Sequence, residues 1–426
     1  MNLCLQIHKC KLIKDFINPF YYDKILLGDS MNEDLMIERI VRRQEIANEK
    51  ILKEIAQTLY EIGELKYSDL YTINQQLKYG ESLDKIVKIL SETGNINKEE
   101  IYKMLENSSI EDLKRTKEYF DARGIDFIPY EENTALQMQV ESIARATNRI
   151  YENIAQTTGI TYINFAGKKV TKPLIKAYYE IVDEAIYNIQ QGKETFYNEL
   201  KKQLETIGQN GIQKIEYESG YHRRIDSSLR MSMQDGLNQL NIKQQEIVGE
   251  QFGADGWEVS VHEFPAKDHA MIQGHTFNDE EYNKLQDYNF MGDITDINGN
   301  TYTRSSEEHI RAIGTLNCYH RAFRVVLGVS KPRYTEEQLQ KIIKKNDEGF
   351  EYEGEKYSLY EGTQLQRRLE LEIKRTRETK LMLNDKTDID KYKAKERQLL
   401  KKYRELVNVS GLPSKIERAR LLIKQK

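Results

Sequence analysis

The chain has 426 residues, of which 39% are hydrophobic and 31% charged, and its formal net charge is −4 at pH 7. This length and apolar fraction suffice for two or three domains with real cores, while the charged fraction indicates much solvated helix surface. Its three cysteines, Cys4, Cys10 and Cys318, exclude a disulfide framework and favour a reducing compartment. No run of about 20 apolar residues occurs, so no membrane segment is predicted.

The charge is unevenly distributed along the chain. Residues 366–426 contain 19 lysines and arginines against nine acidic residues, a balance of +10, which leaves −14 for residues 1–365. Two interpretations follow. The tail contacts DNA or an acidic protein, or it forms the commoner solvated pair of charged helices.

The first third of the chain is predicted to be helical. Residues 1–30 are interpreted as a leader or an over-extended start, because Met31 opens a cleaner helical sequence. From Glu33 to Ile62 the apolar residues recur at steps of three and four, which predicts a helix with one buried stripe. Shorter helices, separated by Gly, Asn and Ser signals, are expected near 66–78, 81–92, 97–106 and 109–122, giving a helical region over 31–125.

The middle of the chain changes from helical to mixed patterning. Long helices are predicted over 133–157 and 171–206, within a region at 130–209, and a further helix from about Tyr221 to Gly249. Trp257, Val259 and Val261 then alternate with polar residues, which predicts a half-buried strand. The remaining signals are an Asn298-Gly299 hairpin turn, an extended segment at 318–329 and a Gly354-centred hairpin. These elements predict a compact α+β unit over 210–362.

The tail, residues 363–426, is predicted to contain two charged helices and a short final helix after the break at residues 411–413. The fold class expected from the whole chain is mainly α, with a C-terminal α+β unit that contains a small mixed sheet. No internal repeat is found.

Residues 257–277 concentrate the side chains with chemical potential. His262 and His269 lie there, and Cys318 and His320 follow later in the chain. Imidazole and thiolate are ligands that zinc prefers, so these four residues are the metal-ligand candidates, with His275 of the same stretch as a further imidazole, and zinc is the candidate metal. Their spacing matches no closed zinc module, and histidines that are hydrogen-bonded to fix an irregular loop are the more ordinary interpretation.

Catalytic signals are otherwise weak. Asp268 and His269, with Asn317 and His320 much later, loosely imitate the general-base histidine and the metal-binding histidine of an HNH nuclease, but about fifty residues intervene. The sequence has no glycine-rich phosphate loop, no GxSxG elbow and no nicotinamide fingerprint. We therefore predict no catalytic residue and no organic cofactor.

Six ordered segments carry a recognisable signature: ATNRIYENIAQTTGI (146–160), GIQKIEYESGYHRRIDSSLRMSMQDGLNQL (211–240), WEVSVHEFPAKDHAMIQGHTF (257–277), LNCYHRAFRVVLGVSKPRY (316–334), YEGTQLQRRLELEIKRTR (360–377) and SGLPSKIERARL (410–421). Together they resemble the phage minor capsid protein 2 family of tailed phages, itself similar to the wider phage head morphogenesis group. The resemblance fades over residues 1–130, where only helices are predicted.

The resemblance implies a low-copy structural protein of the virion, made in the host bacterial cytoplasm. It would lie inside the head near the portal, aiding head assembly or DNA packaging. Portal and major capsid proteins would then be its partners, with non-specific DNA contacted through the basic tail 366–426. The competing hypothesis is a packaged metal-dependent enzyme or effector that uses residues 257–320.

Overall fold

The computed structural model describes residues 30–64, 71–190, 196–216, 221–305, 310–315 and 318–421. The predicted leader, with Cys4 and Cys10, and the residue Asn317 lie outside these ranges. Within them the chain is mainly helical with small antiparallel sheets, which confirms the predicted fold class.

The described residues form eleven α-helices: α1 (Ser30–Glu64), α2 (Tyr71–Arg123), α3 (Thr134–Gln156), α4 (Leu174–Gln190), α5 (Phe196–Asn210), α6 (Ile225–Phe252), α7 (Lys267–Ala270), α8 (Asp279–Gln286), α9 (Glu336–Glu348), α10 (Leu359–Met382) and α11 (Lys386–Ser410).

The strands are β1 (Thr158–Ile163), β2 (Lys169–Pro173), β3 (Gln213–Ile215), β4 (His222–Arg224), β5 (Gly256–Val259), β6 (Thr276–Asn278), β7 (Gly292–Thr295), β8 (Thr301–Arg304), β9 (Ala322–Val325), β10 (Phe350–Tyr352) and β11 (Glu355–Tyr357). They form sheets in the orders β2-β1-β3-β4 and β6-β5-β9 and the hairpins β7-β8 and β10-β11.

Helix α1 confirms the helix predicted over 33–62 and supplies the largest core. Its apolar stripe, including Ile40, Ile51, Ile55 and Leu59, is almost fully buried. The stripe packs in one cluster with apolar residues of α2, α3, α4, α5 and α6. Burying each such side chain contributes roughly 1.5–3 kcal/mol.

Helix α2 is one helical segment where four short helices were predicted. The residues that suggested helix breaks are used for tertiary contacts instead. Asn97 is fully buried and donates to the Tyr151 hydroxyl at 3.0 Å, and Ser108 bonds to a glutamate of α1. An isolated glycine such as Gly94 costs a helix only about 1 kcal/mol, which packing of this kind offsets.

The sheet β2-β1-β3-β4 was not predicted. Its strands pair polar side chains across the sheet: Thr161 Oγ1 lies 2.7 Å from Thr171 Oγ1 and donates to Gln213 Oε1 at 3.0 Å. Strand β4 occupies residues assigned to the start of the helix from Tyr221, so α6 begins at Ile225 instead. The sheet joins residues on both sides of the proposed boundary at 209/210, and the domain boundaries remain predictions.

The predicted strand at Trp257 exists, but it is buried on both faces. Strand β5 is the central strand of its sheet, and all four of its residues are buried. The prediction of a half-buried strand was therefore wrong. Val261, which was assigned to the strand, lies beyond its end at Val259. Glu258 is buried on the supposedly solvated face, where its Oε1 accepts a hydrogen bond from the Arg333 backbone N–H at 3.0 Å.

Both hairpin turns predicted in this unit are confirmed. The Asn298-Gly299 turn joins β7 to β8, and the Gly354 turn joins β10 to β11, each with its glycine at positive φ. Gly253, at φ +70°, ends α6 in the left-handed conformation that favours glycine.

The first helix of the tail is not solvated. Glu370, Lys374 and Glu378 of α10 are each nearly inaccessible to solvent, because α10 packs against α1, α5 and α11. The interpretation as a solvated charged helix pair was therefore wrong for α10, although α11 keeps an exposed charged face. The expected final helix is a short 3₁₀ turn, Ile416–Ala419.

Buried ion pairs replace solvent around α10. Lys374 Nζ lies 2.5 Å from Glu45 Oε1 of α1 and 2.7 Å from Asp226 Oδ2 of α6. Arg224 binds both carboxylate oxygens of Glu378, at 2.9 and 2.6 Å. Helices far apart in the sequence are thus joined through one buried polar network.

Candidate metal centre

The pairing of two strands brings the metal-ligand candidates together. Strands β5 and β9 run antiparallel with Val259 opposite Ala322. His262, just after β5, therefore lies near His320, just before β9. Helix α7 follows the loop after β5 and places His269 against the same point. Three of the four candidates, His269, Cys318 and His320, place their ligand atoms within 4.8 Å of one another, and His262 lies beside them.

Three ligand atoms of this cluster form a nearly equilateral triangle. His269 Nδ1 lies 3.3 Å from His320 Nδ1, and Cys318 Sγ lies 3.4 and 3.5 Å from the same two nitrogens. The three residues are 2%, 4% and 6% exposed for His269, His320 and Cys318, so water has almost no access. We refer to His269, Cys318 and His320 as the His-Cys-His cluster.

The other ring nitrogens are fixed by carbonyl acceptors. His269 Nε2 lies 3.0 Å from the Arg311 carbonyl oxygen, which can only accept, so Nε2 carries the hydrogen. His320 Nε2 lies 3.2 Å from Gln273 Oε1, an oxygen that also accepts from the His262 backbone N–H at 2.9 Å. Both Nδ1 atoms therefore present lone pairs to the triangle whenever the rings are neutral.

Burial keeps the rings neutral. It lowers the pKa of His262, of His269 and, furthest, of His320, because the charged imidazolium loses its hydration. Burial raises the pKa of the Cys318 thiol, an effect that hydrogen bonds from the Gly314 and His320 backbone partly offset. The His320 N–H lies 3.3 Å from Sγ.

His262 borders the cluster without belonging to the triangle. Its ring stands edge-on to that of His320 with the centroids 4.4 Å apart, and it bonds to the backbone of Tyr319. Its Nε2 is buried without a hydrogen-bond partner among the described residues. This nitrogen is therefore a further acceptor without a donor, in addition to the two Nδ1 atoms of the triangle.

Two nearby polar residues, Asp268 and His275, bind partners outside the His-Cys-His cluster. Asp268 binds the Arg311 guanidinium through both carboxylate oxygens, at 2.7 and 2.9 Å. His275 forms a separate cluster, with its Nδ1 2.6 Å from Asp296 Oδ2. Sequence reasoning missed Gln273 and Arg311, for which no motif or spacing gave a signal.

The family is established by sequence comparison. The model of the family described as phage minor capsid protein 2 matches residues 32–408, nearly the whole chain. The chain belongs to this family.

The match also covers nearly all of α1 and the whole of α2, where the resemblance read from the sequence fades. Membership identifies a structural bacteriophage protein located in the virion. Comparisons with curated proteins and with solved structures gave no match. Among the described residues no helix combines the length and apolar character that a bilayer crossing needs.

Proposed function

We propose that this chain is a low-copy structural protein of the phage head interior, located near the portal, where it aids head assembly or DNA packaging. The observation that carries the proposal is the family match over residues 32–408. The portal and major capsid proteins are its proposed protein partners.

The internal organisation supports a role in assembly. Glu38 of α1 accepts from Arg230 of α6 at 2.8 Å and from Arg418, near the C-terminal end, at 3.1 Å. Together with the network around Lys374, these contacts tie the first described helix to the last described segments. A body held together in this way presents fixed surfaces to its partners.

The proposed DNA contact lies on α11. Lys391, Lys395, Arg397 and Arg404 are exposed on this helix, and none forms an ion pair with a described residue. We refer to these four as the α11 basic residues. By contrast, the cations of α10 that pair with Glu45 or Glu396 are unavailable to phosphate. The α11 basic residues offer phosphate contacts without base readout.

The alternative function, a packaged metal-dependent enzyme, would rely on the His-Cys-His cluster. A catalytic zinc site keeps one coordination position open to water and substrate. Each residue of this cluster is less than a tenth exposed, which argues for a structural use of the site. The proposed function therefore assigns no catalytic residue.

Protease protection of purified virions tests the location. We expect the chain in intact particles at far lower copy number than the major capsid protein, resistant to added protease until the heads are opened by osmotic shock. Cross-linking before opening should join it to the portal. Absence from particles, or digestion in intact ones, would contradict the interior location.

Charge reversal tests the DNA contact. Replacing all four α11 basic residues by Glu should weaken binding of duplex DNA at least about tenfold. If all four contact phosphate, the salt slope should fall by about 3.6. The control replaces four exposed lysines on other helices, Lys88, Lys103, Lys114 and Lys344, by Glu, which gives the same net charge. Equal weakening in both variants would assign the effect to net charge and remove α11 as the contact.

A further inference from the structure

We propose that the His-Cys-His cluster is a structural zinc site, with His269 Nδ1, Cys318 Sγ and His320 Nδ1 as ligands and His262 Nε2 in the fourth position. The ion would fix the loop after β5 and helix α7 to the segment before β9. This inference concerns the fold of the α+β unit and does not depend on where in the virion the chain lies.

The size of the triangle fits the ion. Zinc binds imidazole nitrogen at about 2.0–2.1 Å and thiolate sulfur at about 2.3 Å. In a tetrahedral complex these lengths separate two nitrogens by about 3.3 Å and a nitrogen from a sulfur by about 3.6 Å. The observed edges are 3.3 Å between the nitrogens and 3.4 and 3.5 Å from sulfur to nitrogen.

The number of hydrogens argues that the contacts are not hydrogen bonds. Three edges would need three hydrogens, but both Nδ1 atoms are unprotonated because each ring donates through Nε2 to a carbonyl oxygen. Only the Cys318 thiol supplies a hydrogen, and it serves one edge. The two nitrogens would then face each other, lone pair to lone pair, at 3.3 Å in a buried site. A cation at the centre removes this repulsion and satisfies all three atoms.

The surroundings provide the outer shell that zinc ligands require. A ligating histidine ordinarily donates its other ring N–H to a carbonyl or carboxylate, which orients the ring. His269 does so to the Arg311 carbonyl and His320 to the Gln273 amide oxygen. The His320 backbone N–H, 3.3 Å from Cys318 Sγ, stabilises negative charge on the sulfur as a thiolate ligand needs.

His262 is assigned the fourth position because its acceptor is otherwise unused. The ring is bonded to the Tyr319 backbone on one side, and Nε2 is buried without a partner among the described residues. The edge-on contact with His320 places this imidazole next to the triangle. A set of three imidazoles and one thiolate favours zinc over calcium or magnesium, which prefer oxygen ligands.

Metal analysis of the full chain, purified without a metal-affinity tag, tests the site. We expect about one zinc per chain, and near-complete loss of zinc in the Cys318→Ser and His269→Ala variants. The matched control is His275→Asn, because His275 is a buried histidine of the same unit bound to Asp296 instead. The control should retain its zinc.

Cobalt substitution guards against variants that fail to fold. The chain used carries Cys4→Ser and Cys10→Ser but has an unchanged cluster; its zinc is removed with a chelator and replaced by Co²⁺. This protein should show tetrahedral ligand-field bands and a thiolate-to-cobalt charge-transfer band. Cys318 is then the only thiol available. Absence of the charge-transfer band, or stoichiometric zinc in both ligand variants, would overturn the proposal.

The fourth ligand has its own test. His262→Ala should keep zinc bound through three residues while weakening its affinity by more than about 10–100-fold, since that range is already typical of losing an outer-shell group that does not touch the metal. X-ray absorption of the zinc-loaded wild-type chain should fit one sulfur and three nitrogens. Unchanged affinity in His262→Ala would overturn the assignment of His262.

Discussion

Replacing Lys374 by Met should destabilise the fold by about 3–5 kcal/mol at pH 7, the usual cost of removing one partner from a buried ion pair. The side chains of Lys374, Glu45 and Asp226 are 5%, 5% and 10% exposed, so solvent cannot compensate the loss. Asp226 retains Arg224, whose Nε lies 3.3 Å away, but Lys374 is the only ion-pair partner of Glu45 among the described residues. Most of the cost should therefore come from Glu45.

The stability lost in Lys374→Met should become smaller as the pH falls. Burial raises the pKa of Glu45 even with Lys374 beside it, and without that cation the pKa should rise further. A raised folded-state pKa gives stability that is present below the unfolded value, about 4.3, and is lost as the pH rises through the folded value. The loss of stability in Lys374→Met should therefore be smaller at pH 5 than at pH 7.

Urea unfolding followed by circular dichroism at both pH values measures this. Adding Glu45→Gln to Lys374→Met should recover about half of the loss, because the uncompensated carboxylate is then absent. Lys402→Met is the control, since its ion pair with Glu353 is about half exposed and should contribute less than about 1 kcal/mol. A loss below about 1 kcal/mol in Lys374→Met, or a deficit independent of pH, would refute the reasoning.

Three further changes probe other parts of the fold. Trp257→Ala should cost about 3–5 kcal/mol in a thermal or urea melt, because the indole is 5% exposed and stacks on a tyrosine ring with centroids 4.5 Å apart; an unchanged melt would show that this stack contributes nothing. Glu258→Gln should stabilise by about 1 kcal/mol at pH 7, because burial raises the pKa of Glu258, and the gain should vanish below about pH 4.3; a gain that persists at pH 4 would contradict it. Gly211→Ala should cost more than Gly167→Ala, whose backbone strain alone is about 1–2 kcal/mol: both have positive φ, but a Cβ at Gly211 would meet Arg224 Nη1 at 2.4 Å, whereas Gly167 has nothing within 4 Å. Equal losses would remove the steric argument.

The elements predicted correctly are those with strong local signals. The stripe of α1, over 33–62, repeats for about eight turns, and the Asn298-Gly299 pair specifies a tight turn between two strands. The missed sheet has strands of only three to six residues. Its first strand, β1, contains a threonine that pairs with polar side chains of the neighbouring strands, so it lacks a clear apolar alternation. Its side chains bond to Thr171 and Gln213, and Gln213 is about fifty residues away, so no local window contains the partner.

The candidate site was predicted by residue type alone. Imidazoles and a thiol identified His262, His269, Cys318 and His320, and these do come together. Their spacing could not show it, because the register of β5 against β9 joins residues about sixty positions apart. The tautomers depend further on a glutamine side chain and a distant backbone carbonyl, neither of which has a sequence signature.

The two buried polar clusters of this fold differ in whether each charge or acceptor has a partner within the protein. Around Lys374 the sequence suggested solvent, yet each buried charge has an opposite charge within hydrogen-bond distance, so that network is complete without a ligand. In the His-Cys-His cluster the acceptors outnumber the hydrogens, because three ring N–H groups are already bonded to carbonyl groups or the backbone. Buried acceptors without donors are costly unless a cation binds them. The first cluster therefore stabilises the helices by itself, whereas the unmatched acceptors of the second support the proposed zinc ion.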